Sequence, residues 1–175
     1  DQMEPEDLVA IDFCGQPLQT GLSGDKRRPS SEWRLHADVL ADRPDAMAVF
    51  HCHPIHATAL ACHDRGIPPF HYMTAVAGGD DIRCAPYATF GTEALSAHTV
   101  QALQNRQACL LAHHGLVSLG RDLDQALKIA IEVETLAQMY LQALQLGEPP
   151  LLSAAQMEEV HRQFRGLGYG QASKD

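Results

Sequence analysis

Residues 47–60 read MAVFHCHPIHATAL, and the change of pattern at Pro54 decides how the chain is organised. Before it, Ala46 to His53 carry the β-branched and aromatic content of a buried strand. Proline cannot donate to a sheet ladder, so the strand stops there. After it, residues 55–65 suit a short helix with Gly66 placed to close it. The same stretch holds three histidines, His51, His53 and His56. On a strand, side chains two positions apart point to one face, roughly 6 to 7 Å from each other. His51 and His53 therefore share a face suited to one metal ion, Cys52 faces the other way, and His56 falls on the following helix. In a chain with ten histidines, an HxH pair alone is a weak signal.

The same alternation continues outward. Residues 7–13, DLVAIDF, read as a short strand, and residues 14–29 as a turn-rich loop that Pro29 ends. SSEWRLHADVLADRP reads as a helix capped by Ser30 or Ser31, with Trp33, Leu35, Val39 and Leu40 among its apolar positions. AGGDDIRCAPYATFG reads as turns around one short strand, and TEALSAHTVQALQNR as an amphipathic helix with Thr92 as its cap. ACLLA (108–112) is a buried strand, and HHGLVSLG turns out of it into another. The longest helix opens at the capping box Asp122-x-x-Gln125 and closes at Gly147, and a last helix spans about 154–165. Strands alternating with helices indicate an α/β domain, although alternation does not fix strand direction.

At 175 residues the chain suits one domain, residues 1–175, that buries roughly two-thirds of its unfolded surface. A net charge of −9 argues against a nucleic-acid partner, which selects clustered Lys and Arg. The one basic run, Lys26-Arg27-Arg28, reads as a solvated loop. No apolar run approaches the roughly 20 residues that cross a bilayer, so no membrane span is expected. Five cysteines without a CxxC fit reduced thiols and predict a cytoplasmic location.

A third metal ligand is available at LLAHHGL, where His113 and His114 end a buried strand just before Gly115. Only one of the two can share a direction with a neighbouring HxH face. Glu32 adds a carboxylate near the start of the first helix. Three histidines with one open position describe a catalytic zinc rather than a structural one. On position alone, Glu32 also suits a first-turn glutamate facing the helix dipole, and Tyr72 a half-buried core tyrosine. His56, His71 and His113 read as structural or as supports for a ligand, and His36, His63, His98 and His161 as surface residues on helices.

Five ordered motifs, RRPSSEWRLH, VFHCHPIHATAL, FHYMTAVAGG, CAPYATFGT and LLAHHGLV, resemble the class II aldolase/adducin-head family. The resemblance runs from about residue 7 to 165 and is strongest to the L-fuculose-1-phosphate aldolase branch. It implies a three-layer α/β fold, a central largely antiparallel sheet flanked by helices. It implies one zinc ion per subunit, held by His51, His53 and His114, with Glu32 completing the empty site and acting as acid/base once substrate displaces it. Tyr72 matches a catalytic tyrosine contributed across a subunit interface, and Ser30 and Ser31 match residues that hold the substrate phosphate. The implied assembly is a homotetramer with active sites between subunits. The family pattern also includes an N-terminal segment of about 50 residues that completes the phosphate site and lies outside this 175-residue sequence. A tyrosine near the C-terminus closes over the site in close relatives; Tyr169 is the candidate here, slightly out of register.

The expected reaction is reversible cleavage of a ketose 1-phosphate to dihydroxyacetone phosphate and an aldehyde. Related readings are a methylthioribulose-1-phosphate dehydratase, a phosphotetronate decarboxylase and a pentulose-phosphate 4-epimerase. A non-catalytic adducin-head-like assembly module is the reading from another class, and it expects lost metal ligands, whereas all three histidines are present.

Overall fold

A four-stranded sheet in the order β1-β4-β3-β2 forms the middle of the molecule. A computed structural model describes residue 4, residues 7–18 and residues 28–167. The strands are β1 (Ala48–Cys52), β2 (Arg83–Ala85), β3 (Ala108–Leu111) and β4 (Gly115–Gly120), and the helices α1 (Trp33–Asp42), α2 (Ile55–Ala61), α3 (Glu93–Ala102), α4 (Leu123–Leu144) and α5 (Ala154–Gly166). β4 pairs antiparallel with both β1 and β3, and only the edge strand β2 runs parallel to its neighbour. The sheet is thus largely antiparallel, as the resemblance implies.

β3 and β4 are buried at every position, which is why both read as near-continuous apolar runs. Their side chains alternate between two cores. Leu110 and Leu116 join Ala57, Leu60, Val133 and Leu136 under α2 and α4. Cys109, Leu111, Val117 and Leu119 join Leu35, Val39 and Leu95 under α1 and α3. Two helical layers enclosing one sheet give the three-layer architecture. Two cap residues behave as the sequence predicts: Thr92 accepts from Leu95 N–H at 3.3 Å and Asp122 from Gln125 N–H at 2.7 Å; Ser153, which the sequence reading did not single out, forms a full capping box with Gln156.

Some local expectations are corrected. Residues 7–13 form no strand; they carry a single antiparallel bridge, Ile11 to Pro17, around a turn in which Asp12 accepts the Cys14 and Gln16 N–H groups at 2.8 Å each. Helix α1 starts later than expected because Ser30 is consumed by a preceding turn: its hydroxyl accepts from Glu32 N–H and its carbonyl from Trp33 N–H, both at 3.2 Å. Helix α2 ends at Ala61, closed by Asp64 in the left-handed region (φ 52°), with Arg65 N–H returning to the Leu60 carbonyl. Gly66 serves a different need, since a Cβ there would lie 2.4 Å from the Ile82 carbonyl oxygen. Residues Tyr72–Ala77 form a 3-10 turn that the sequence did not announce. Of the basic run, Lys26 and Arg27 lie outside the described residues, as does Tyr169.

Candidate metal centre

Three separate elements deliver four ligand atoms to one point. Glu32 precedes α1, His51 lies in β1 with His53 one residue beyond its end, and His114 closes the β3–β4 turn. One ligand atom from each lies within 4.8 Å of all the others. His51 Nε2 is 3.2 Å from His53 Nε2 and 3.1 Å from Glu32 Oε2, and His114 Nε2 is 3.2 Å from Glu32 Oε1. Nitrogen ligands at 2.0–2.1 Å from a tetrahedral zinc would stand about 3.3 Å apart, so these separations suit an ion between them.

The polar bookkeeping points the same way. His51 Nδ1 lies 2.9 Å from the Leu116 carbonyl oxygen, which can only accept. That bond places the proton on Nδ1 and leaves the Nε2 lone pair facing the cluster, the usual support for a metal-bound histidine. Glu32 Oε1 is buried and has no hydrogen-bond donor among the described residues. A buried carboxylate oxygen among imidazole lone pairs is costly unless a proton or a cation sits between them. Burial lowers the His114 pKa below the ordinary histidine value, and His51 and His53 add to this while the Glu32 charge opposes it. A neutral His114 is the form that ligates. The residues therefore fit a divalent metal, and a borderline-soft ion with nitrogen and oxygen donors fits best. His53 is the one exposed member, so the open side of the cluster is at its ring.

The other candidates divide. Ser30 and Ser31 are exposed and directly precede Glu32. Tyr72 is 49% exposed and stacks on His71, with ring centroids 4.7 Å apart, rather than on the four-residue cluster. It is therefore not a half-buried core tyrosine. His113 takes the left-handed conformation (φ 54°) and turns away toward Asp64, Nε2 to Oδ1 3.7 Å; it supports the turn, not a ligand. His36 is not a surface residue: its ring centroid is 6.5 Å from that of His51, and burial, then His51, push its pKa down. His161 is also partly covered and meets Asp80 at 2.8 Å.

Two contacts lay beyond sequence reasoning. The Leu116 carbonyl is visible only once β1 and β4 are paired. Glu134 of α4 binds the start of α2, and its one signal is an acid on the Ala126, Ala130, Ala137 face of an otherwise apolar helix stripe.

Comparisons with known proteins place the chain among aldolases. A family model described as the class II aldolase and adducin N-terminal domain matches residues 1–141. A 5-methylthioribulose-1-phosphate/5-deoxyribulose-1-phosphate aldolase of Rhodospirillum rubrum is 51% identical over 166 residues, 95% of this chain and 72% of that protein. An L-fuculose phosphate aldolase of Escherichia coli is 51% identical over 141 residues, 80% of this chain and 66% of that protein. A solved structure of an L-fuculose 1-phosphate aldolase superposes with a TM-score of 0.86 at 38% identity, covering 94% of this chain and 74% of that one.

Proposed function

Because the chain belongs to the class II aldolase and adducin family, and is a metal-dependent aldehyde-lyase of the class II aldolase type, we propose that it reversibly cleaves a ketose 1-phosphate to dihydroxyacetone phosphate and an aldehyde. The observation that carries this reading is the convergence of Glu32, His51, His53 and His114 within 4.8 Å, with a buried carboxylate oxygen lacking a donor. We assign the metal as one zinc ion per subunit, with the three histidines as ligands and Glu32 as the residue that exchanges with substrate. Bound there, the ion would supply Lewis acidity to stabilise the negative charge that carbon–carbon cleavage leaves on the substrate, so that no lysine Schiff base would be needed.

The chain's own groups do the remaining work. Tyr72, acting on a neighbouring subunit's site, takes the C4 hydroxyl proton as the C3–C4 bond breaks and the aldehyde forms. Glu32 then delivers a proton to C3, which completes dihydroxyacetone phosphate; in condensation both transfers reverse. Ser30 and Ser31, exposed beside Glu32, donate their hydroxyls to the phosphate, and Tyr169 is a candidate to cover the site. The shared site requires an oligomer, and the family resemblance points to a homotetramer. Five free cysteines suit the cytoplasm.

The substrates named for the two relatives share a 1-phosphate head and a terminal carbon without a hydroxyl, ending in methyl or methylthio. That shared chemistry defines the substrate class proposed here, with the L-fuculose type leading and the 5-deoxyribulose type beside it. Zinc-loaded protein should release dihydroxyacetone phosphate and an aldehyde from fuculose, 5-deoxyribulose or methylthioribulose 1-phosphate, and more slowly from ribulose 1-phosphate. Loss of water from methylthioribulose 1-phosphate, loss of CO2 from a phosphotetronate, or inversion at C4 of a pentulose phosphate, without release of dihydroxyacetone phosphate and an aldehyde, would place the chain among the related lyases and epimerases instead.

A further inference from the structure

His53 is the exposed member of the four-residue cluster and stands one residue beyond the end of β1. The β1–β4 ladder ends at Cys52 paired with Leu116, so no ladder pair fixes the backbone of His53. On one side its ring lies against Gly115, where an added Cβ would come within 2.7 Å of His53 Cδ2. On the other side the chain passes through Pro54 (φ −73°, ψ 150°) directly into α2. Pro54 is the N-cap of α2 and has no side-chain oxygen to satisfy the first N–H groups of the helix.

A side chain from a different helix does so. Glu134 of α4 accepts from His56 N–H at 2.9 Å through Oε1 and from Ala57 N–H at 2.8 Å through Oε2. The same Oε1 lies 2.7 Å from His56 Nδ1. One half-buried carboxylate therefore holds two backbone amides and one imidazole, three residues from a proposed ligand. Behind this clamp, Ala57, Leu60 and Ala61 pack in one core with Val133, Leu136 and Ala137 of α4. The start of α2 is thus fixed to the body of the protein at a single polar point, and the Pro54 link transmits that position to His53.

We infer that Glu134 is a positioning residue for the metal centre: by clamping the His56 and Ala57 amides it sets where His53 stands and hence the geometry and affinity of the bound ion. The inference rests on the ligand assignment proposed above. Partners hydrogen-bonded directly to metal ligands typically contribute about 10- to 100-fold in metal affinity; Glu134 acts one link further out, through the backbone from His56 to His53, so a smaller effect is expected.

The test compares wild type with Glu134→Gln and His56→Ala in the full chain. Zinc affinity is measured by competition with a chromophoric chelator, and coordination geometry by the visible spectrum of cobalt(II)-loaded protein. Glu134→Gln should weaken zinc binding by up to about 10-fold, the low end of that range, and shift the cobalt bands. His56→Ala leaves both backbone bonds in place and should do less. A Glu134→Gln variant that is destabilised without metal, yet shows the wild-type zinc constant and cobalt spectrum, would make Glu134 a plain helix cap and overturn the inference. If Glu134→Gln fails to fold, Glu134→Asp keeps the charge and shortens the reach; an unchanged constant and spectrum there overturns the inference equally. His53→Ala separates the two levels: stoichiometric, tight zinc in that variant would remove the ligand assignment itself.

Discussion

Glu32 is the residue at which stability and chemistry oppose each other. Its Oε1 is buried without a donor and faces His114 Nε2 at 3.2 Å, an arrangement that apolar packing alone would not maintain. Replacing it with Gln would remove the proposed proton transfer and leave the three proposed nitrogen ligands. Glu32→Gln should retain zinc and lose about 10²- to 10⁴-fold in turnover, the range typical of a deleted acid/base. Normal turnover would remove Glu32 from that role. His36 gives a second prediction. Burial, then His51, lower its pKa, and burial lowers that of His114, both below the ordinary value of 6.5. Above that value both rings are neutral in folded and unfolded chains, so neither affects stability. As pH falls through 6.5 the unfolded chain takes up protons that the folded sites refuse, and the metal-free protein loses stability until the folded values are passed. Urea midpoints of metal-free protein should fall on acidification through this range, and less steeply in His36→Gln. The same fall in both proteins would show that His36 does not contribute.

The β3–β4 hairpin and the end of β1 meet at Gly115. A Cβ there would lie 2.5 Å from the Cys52 carbonyl oxygen and 2.7 Å from His53 Cδ2, a backbone atom and a proposed ligand, neither free to move away. Gly115→Ala should therefore destabilise the metal-free protein by about 1–3 kcal/mol, the usual range for forced overpacking, and weaken zinc binding as well. Gly166, at the end of α5, has nothing within 4 Å of an added Cβ. Gly166→Ala should be neutral or stabilise by up to about 1 kcal/mol through helix propensity, and unfolding curves of the pair measure the contrast. The same elements show what the sequence could convey. β1, β3 and β4 were legible because their residues are apolar and Pro54 and Gly115 bound them; α3 and α4 were legible from their caps at Thr92 and Asp122. Residues 7–13 were misread because an apolar run forms a strand only with a ladder partner, and the described residues supply one bridge. His51 and His53 could be paired from spacing alone, since strand geometry is local. Glu134 and His56 are 78 residues apart, and only the packing of α4 on α2 joins them.

At the scale of the whole molecule, Tyr72 is the proposed catalytic group that stands apart from the metal cluster. Its side chain is 49% exposed and its ring contact is with His71 at the start of the 3-10 turn. A phenol placed outward in this way can serve chemistry only if something approaches it, and the proposed homotetramer supplies the neighbouring subunit's cluster. The arrangement makes each site a composite, with Glu32 and the histidines from one chain and Tyr72 from the next. Glu32→Gln and Tyr72→Phe should each be nearly inactive as homo-oligomers. When the two are mixed under conditions that exchange subunits, some interfaces join an intact cluster to an intact Tyr72, and those sites should turn over. With random exchange in equal amounts, one pairing in four places both intact residues at the same site, so activity should recover to about a quarter of wild type if each lesion falls within the 10²- to 10⁴-fold range. Subunit exchange is checked separately by mass spectrometry of isotopically labelled chains. Demonstrated exchange with no recovered activity would count against a site shared between subunits.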